Sequence, residues 1–380
     1  MPITKTGKTK NGLQQYRVRV AYTDAAGRHK QIERTAYGKS EALAVERKLQ
    51  EEVHGGKLVA RLTLRALADA FLASRVHDVR ETTLDKDRRN LAIILTPEIV
   101  NLRLDRLTAS TLQDWKRDIG SRNLALGTKR NYFKQFSALL NFAVKQGYLP
   151  ANPLHRIGNF KDPYFEKPED KLHYYTADEF LRYADAARAY AAEKQSLNEW
   201  GYYVFFMIAF YTGMRKGEIN ALKWSDVDGD IIHVRRSISQ KLKGTDRETP
   251  PKNKSSYRDL QAPQPLVEVL DIHKAMQQAA GRWSEDFRVC GGLECLRDSS
   301  IENHNQRYAQ SAGLPHLRIH DFRHTHVSLL TNEGINIQEI ARRLGHSKVE
   351  VTWNTYAHMY PREEERAVEV LNRVGASKVC

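Results

Sequence analysis

The sequence predicts a multidomain α+β protein. It has a small N-terminal three-stranded sheet plus helix, then a helical domain, then a mainly α domain with a small β-sheet. Three observations predict this. Residues 15–22 alternate at the period of a strand. Residues 62–155 keep apolar side chains at helical spacing throughout. The remainder sets capped helices around one hairpin, and 380 residues are enough for two or three domains.

The first module spans residues 1–57. Tyr16, Val18, Val20 and Tyr22 point to one face of the strand, and Gln15, Arg17 and Arg19 to the other. Asp24 to Gly27 reads as a hairpin turn into a returning strand over residues 28–35. Ser40 is placed to cap a helix running to about Val53, with Ala42, Val45, Leu49 and Val53 on its buried face. Residues 1–40 hold nine Lys/Arg against two Asp/Glu, a local excess of +7. The pair Gly55 and Gly56 opens a linker.

Residues 62–155 read as all helix. Helices are expected over residues 63–74, 83–95, 108–119 and 128–146, the last stopped by Gly147. In that last helix Phe133, Phe136, Leu140 and Val144 form the apolar stripe, and Lys129, Arg130, Lys134 and Gln135 lie off it. Residues 156–171, with Pro163 and Pro168, read as an interdomain linker.

The third domain spans residues 172–380. Thr176 and Glu179 make a capping box that opens it. Residues 202–211 are almost wholly apolar, which predicts a buried helix ending at Gly213. Arg215 follows at the next helix start, and Glu218, three residues on, can pair with it and hold its fork still. Residues 231–238 are strand-like, and a hairpin carrying Pro251, Lys252 and Lys254 returns to Leu260. His320 and Arg323 share a helix face, which Val327, Leu329 and Leu330 continue to Gly334. A second helix over residues 337–344 stops at Gly345, leaving His346 on an exposed turn. Ser347 and Glu350 can box a third short helix, with Tyr356 near its end. A partly apolar segment follows over residues 364–374.

These side chains suit attack on a phosphodiester. Arginine forks match phosphate oxygens, histidine moves protons near neutral pH, and a tyrosine oxygen can be a covalent nucleophile. Enough fixed cations around the phosphate remove the need for a metal. His320 and His324, at i and i+4, also have the spacing of a zinc-binding HExxH pair. That pattern needs Glu where Asp321 stands, and it would put Arg323 beside the cation.

Composition narrows the partners. The chain carries 60 Lys+Arg against 46 Asp+Glu, a formal net charge of +14, which favours a polyanion. No run approaches the roughly 18 apolar residues of a membrane span, and the N-terminus has no signal-peptide core. A cytoplasmic protein without a membrane partner is expected. Three cysteines give no disulfide framework, and Cys290 and Cys295 lack the second pair of a zinc site.

Four boxes in order carry a resemblance. Thr212, Gly213, Arg215 and Glu218 are similar to the TGxRxxE box of tyrosine recombinases. His320, Arg323, His324 and Thr325 resemble their HxLRHT box, with Phe322 at the leucine position. Leu344, Gly345 and His346 resemble their LGH box, and Thr355, Tyr356 and His358 their nucleophile box. The whole chain resembles the integrases of temperate phages and conjugative transposons. The resemblance implies a tyrosine recombinase fold, with an arm-type DNA-binding first module, a core-binding helical domain and a catalytic third domain. It implies catalytic Arg215, Lys252, His320, Arg323, His346 and Tyr356, the last as nucleophile. The hairpin box is looser than the others, since Gln261 stands where proline is usual, and Lys254 is the alternative to Lys252. DNA contacts are expected at Gln15, Arg17, Arg19, Lys129, Arg130, Lys134 and Lys254.

What the resemblance implies is a site-specific recombinase with no cofactor or metal, acting on double-stranded DNA at core and arm sites. It would work as a homotetramer on DNA, with an excision factor or host DNA-bending protein as further partner. A type IB topoisomerase-like enzyme and a non-catalytic DNA-binding regulator stand as alternatives.

Overall fold

The computed structural model describes residues 3–10, 12–23, 29–54, 62–162, 172–240, 247–250, 254–360, 368–369 and 371–373. The chain divides into two compact units, Met1–Lys167 and Pro168–Cys380.

In the first unit, β1 (Ile3–Lys10), β2 (Leu13–Thr23) and β3 (His29–Tyr37) form an antiparallel sheet in the order β1-β2-β3. Helix α1 (Lys39–His54) covers one face. Val18 and Val20 of β2 are buried with Ala36 of β3 and Ala42 and Leu49 of α1, as strand alternation requires. The expected turn at residues 24–27 lies outside the described residues, as does the Val53 side chain. Ser40 does not cap α1. Gly38, at φ 91°, turns the chain two residues earlier, so Ser40 falls inside the first turn. The Glu41 carboxylate accepts the Tyr37 N–H instead, at 2.8 Å.

Helices α2 (Leu64–Ser74), α3 (Glu81–Ile94), α4 (Pro97–Val100), α5 (Ala109–Ser121) and α6 (Leu126–Lys145) share a second core. Thr63 and Thr108 cap α2 and α5 with their hydroxyls. The α6 stripe is buried at Phe133, Phe136 and Leu140. The Trp115 indole N–H donates to Ile94 O at 2.9 Å, tying α5 to the last turn of α3. The start of the stretch that composition assigns to a linker is docked on this core. Lys116 Nζ reaches the carbonyls of Ile157, Gly158 and Asn159, and the Phe160 ring meets Phe133 edge-on.

The second unit opens with α7 (Ala177–Lys194), whose Thr176–Glu179 capping box forms in both directions. Helix α8 (Leu197–Thr212) is buried along almost every side, because its sequence is apolar all round rather than along a stripe. Next come α9 (Lys216–Ala221), β4 (Val227–Asp228), β5 (Ile231–Val234), β6 (Ser237–Ser239), β7 (Arg247–Thr249) and β8 (Arg258–Gln261). Then follow α10 (Gln264–Ala279), α11 (Asp298–Ser311), α12 (Asp321–Asn332), α13 (Ile337–Leu344) and α14 (Val349–Tyr356). The expected single strand over residues 231–238 is broken. β5 pairs with β4 and β8, and β6 pairs with β7. Between them Arg235 turns to Asp259 at 2.7 Å and Arg236 to Asp226 at 2.8 Å, so neither joins a continuous ladder. The expected Ser347–Glu350 box is also absent. The cap is Lys348 with no side-chain bond, so the helix starts one residue later and Glu350 sits too early in the first turn to reach back. Among the described residues no helix is long and apolar enough to cross a membrane.

Candidate active site

The site is assembled where the ends of α8, α12, α13 and α14 meet. Helix α8 stops at Gly213 with φ 62°. A Cβ there would come within 2.7 Å of the His326 ring, so the position needs glycine for both conformation and room. Arg215 follows as the cap of α9. Its Nη1 donates to Glu218 Oε1 at 2.8 Å, and its backbone N–H to Glu218 Oε2 at 3.0 Å. Its side chain is 38% exposed, against 3% for Glu218. Arg258 of β8 donates to the other side of Glu218 at 2.9 Å and to Arg343 O at 2.6 Å. Burial pushes the Glu218 carboxyl up, but Arg258 and Arg215 together outweigh it and hold the group below its ordinary value.

Arg323, on the first turn of α12, is 4% exposed. Its Nη1 donates to Gly213 O at 2.8 Å and its Nη2 to Leu344 O at 2.7 Å. Leu344 is the last residue of α13, so its carbonyl belongs to the orphan set at the negative end of that helix, where a cation is favoured. Nη2 also meets His346 Nε2 at 2.9 Å. Since guanidinium only donates, that imidazole nitrogen must accept. His346 then carries its proton on Nδ1 and donates to Thr352 Oγ1 at 2.8 Å. Burial, then Arg323 and Arg215, lower the His346 pKa to about 4, which keeps it neutral and able to accept. His346 follows Gly345, which is left-handed at φ 66°, but it is half-buried rather than on an exposed turn.

Tyr356 is 3% exposed and packs with Val327, Ile340 and Leu344. Its hydroxyl lies 2.5 Å from His324 Nδ1. Burial raises the Tyr356 pKa to about 12, with Arg323 pulling it back. His320, the cap of α12, is open to solvent and meets the His324 ring edge-on, with centroids 5.2 Å apart. Its crowded setting and Arg323 lower its pKa. Asp321 between these two histidines is buried and taken by Arg318, at 3.0 and 2.9 Å. Among the described residues, no group of three or more His, Cys, Asp or Glu could hold a metal ion.

Arg215, His320, Arg323, His346 and Tyr356 are thus brought into one neighbourhood. Lys252 lies outside the described residues, and so does the Lys254 side chain. In the first unit, Arg17 and Arg19 are exposed and both donate to Glu33 at 2.8 Å, and Gln15 accepts from the Thr6 hydroxyl at 2.7 Å. Lys129 donates to Gly120 O and Arg130 to Phe160 O, while Lys134 is exposed. Sequence reasoning missed Arg258, Thr352 and the Tyr356 contact of His324. For His324, the signal was its place one residue after Arg323 on the helix facing the tyrosine.

The chemistry of this neighbourhood is that of an anion receptor beside a phenol. Arg215 and Arg258 pair with the Glu218 carboxylate and the buried Arg323 lies within its electrostatic reach, which leaves an excess of fixed positive charge, and Arg215 is reachable from solvent.

Comparison with known proteins bears on the family and the fold. Residues 179–363 match the phage integrase family, and residues 64–161 match the phage integrase SAM-like domain. A tyrosine recombinase XerC-like protein of Caldanaerobacter subterraneus subsp. tengcongensis is 27% identical, over 97% of this chain and 98% of its own. The ICEBs1 integrase of Bacillus subtilis is 25% identical, over 96% and 98%. The fold is shared with the Tn1549 transposon integrase solved with a circular intermediate DNA. That match has TM-score 0.65 and 16% identity, over 82% of this chain and 99% of that one. It is also shared with a lambda integrase dimer bound to a COC' core site, at TM-score 0.53 and 18% identity, over 76% and 97%. Two family models and relatives matched over nearly their whole length agree: the chain belongs to the phage integrase family of tyrosine recombinases.

Proposed function

We propose that this protein is a site-specific recombinase that integrates and excises a phage or other mobile element by cutting and rejoining double-stranded DNA through a 3′-phosphotyrosine. The observation that carries the reading is a buried carboxylate, Glu218, paired with Arg215 and Arg258, together with a buried Arg323 whose charge acts on the Tyr356 phenol. Such a site has the charge to hold a phosphodiester without a metal. Arg215 and Arg323 would bind its non-bridging oxygens. His320, open to solvent, would donate a further hydrogen bond. His346 would hold the Arg323 fork in place by accepting from it. Tyr356 would attack, and Lys252, with Lys254 as the alternative, would protonate the leaving 5′ oxygen. The linkage keeps the bond energy, so a 5′-hydroxyl of a partner strand can reverse the step.

The first module, with Gln15, Arg17 and Arg19, would contact arm sites. Lys129, Arg130 and Lys134 would face the core-site backbone. Related integrases are solved on DNA, one as a tetramer bound to a Holliday junction, which supports a homotetramer on DNA here. An excision factor or a host DNA-bending protein would complete the assembly, in the cytoplasm. The test is recombination between two attachment-site duplexes, run beside relaxation of supercoiled plasmid. Exchange of flanking DNA supports the reading. Relaxation without exchange would make the protein a strand nicking-closing enzyme instead.

A further inference from the structure

We propose that His324 is the base that takes the proton from Tyr356. This rests on the recombinase reading and adds a residue to it. Of the three histidines around the tyrosine, His324 is the one in contact with the reacting oxygen, with Nδ1 2.5 Å from Oη. His346 has its Nε2 lone pair on Arg323 and its other nitrogen on Thr352. His320 approaches by the edge of the His324 ring.

The proton positions follow from the partners. A phenol O–H donating to His324 needs a bare Nδ1, which puts the imidazole proton on Nε2. Nε2 faces the buried Asp321, whose Oδ1 is 4.0 Å away. Asp321 is fixed by Arg318 through two side-chain donors and a backbone N–H. Asp321 is thus beyond hydrogen-bond reach of the ring and acts on it only through its charge, so the phenol–imidazole contact is the feature that carries the assignment.

The step balances. The Oη–H proton passes to Nδ1, the freed Oη pair bonds to phosphorus, and the P–O5′ bond breaks. The 5′ oxygen leaves with a proton from the lysine. In the rejoining direction the His324 imidazolium returns its proton to Tyr356. The charged groups facing His324 are His320, Asp321, Arg318 and Arg323 on its own element and the approach to it, and Tyr356 from α14. Burial lowers the histidine to about 4 and raises the tyrosine to about 12, so the proton rests on the phenol before DNA arrives. An anionic phosphodiester beside the ring favours the imidazolium that forms as the proton arrives.

The test uses the full chain and a nicked suicide duplex carrying a core site. His324→Asn keeps an acceptor near Nδ1 but takes no proton. Covalent adduct should form about 10²–10⁴-fold more slowly, the range of general-base catalysis, with DNA affinity unchanged. Replacing Tyr356 in that variant by a polyfluorinated tyrosine, largely ionised at neutral pH, should recover at least about tenfold of the loss, because an ionised nucleophile needs no base. A merely structural role for His324 predicts no such recovery. His324→Gln gives a second reading if the asparagine chain melts early. Wild-type rates in either variant, or a deficit that the fluorinated residue leaves untouched, would overturn the assignment alone. No adduct from the wild-type chain would sink the recombinase reading and this assignment with it.

Discussion

Glu218→Gln is the substitution whose cost can be worked out most fully. The carboxylate is buried between Arg215 and Arg258, and the Arg258 side chain is only 5% exposed. Glutamine keeps the shape and one oxygen acceptor but leaves a buried guanidinium without its counter-charge. Removing one partner of a buried pair costs about 3–5 kcal/mol. The lower end applies here, because Arg258 keeps the carbonyls of Arg343 and Ser256. For a unit of roughly 200 residues each kcal/mol is worth about 2–4 °C, so Tm should fall by roughly 6–12 °C at pH 7. The pH dependence has a definite sign. The folded carboxyl ionises below its ordinary 4.5, so its contribution is whole above that value and is lost as pH falls through the folded pKa. The gap between wild type and variant should therefore close in acid. The assay is thermal unfolding followed by circular dichroism from neutral pH downward. Glu339→Gln serves as control, since Glu339 pairs with Arg342 at the surface and should cost no more than about 1 kcal/mol. A Glu218→Gln melt within about 2 °C of wild type at pH 7 would refute the reasoning, as would a gap that ignores acid.

Three further outcomes follow from the same geometry. Arg323→Lys keeps a charge but cannot serve Gly213 O, Leu344 O and His346 together, so adduct formation should drop by on the order of 10² or more; near-normal cleavage with weak binding would reassign Arg323 to simple affinity. Chelators should leave cleavage unchanged, and a loss in EDTA restored by zinc would point back to His320 and His324 as ligands. Removing residues 1–55 should spare cleavage of a core duplex but weaken binding to arm duplexes in a mobility shift at fixed salt, and Arg17→Ala with Arg19→Ala should cost about 1–3 kcal/mol per base contact; equal arm binding by intact and truncated chains would leave the basic strand an ordinary surface.

What the sequence made legible was local. The apolar run of α8, its stop at Gly213 and the Arg215–Glu218 pair lie within a few residues of one another, and spacing alone determines them. The alternation of β2 was readable for the same reason. Long-range contacts were not. Arg258 meets Glu218 from 40 residues away and Arg343 from 85, and no periodicity links those positions. His324 lay in plain view, but its tie to Tyr356 depends on how α12 and α14 pack. The readings that failed at Ser40 and at Ser347 were errors of two residues and of one at helix starts, where a glycine or an ordinary lysine decides which residue takes the cap. The break at Arg235 and Arg236 was hidden because an ion pair, rather than a turn residue, interrupts the strand.

The most direct measurement is the identity of the residue that becomes joined to DNA. Wild-type protein and Tyr356→Phe are incubated with a nicked suicide duplex, and the adduct is digested and mapped by mass spectrometry. The mutation keeps the ring that packs on Val327, Ile340 and Leu344 and removes only the oxygen. Wild type should yield a 3′-phosphonucleotide on the peptide containing Tyr356, and Tyr356→Phe should bind the duplex equally well and yield none. An adduct on another residue, such as Tyr360, or one that survives in Tyr356→Phe, would contradict the account.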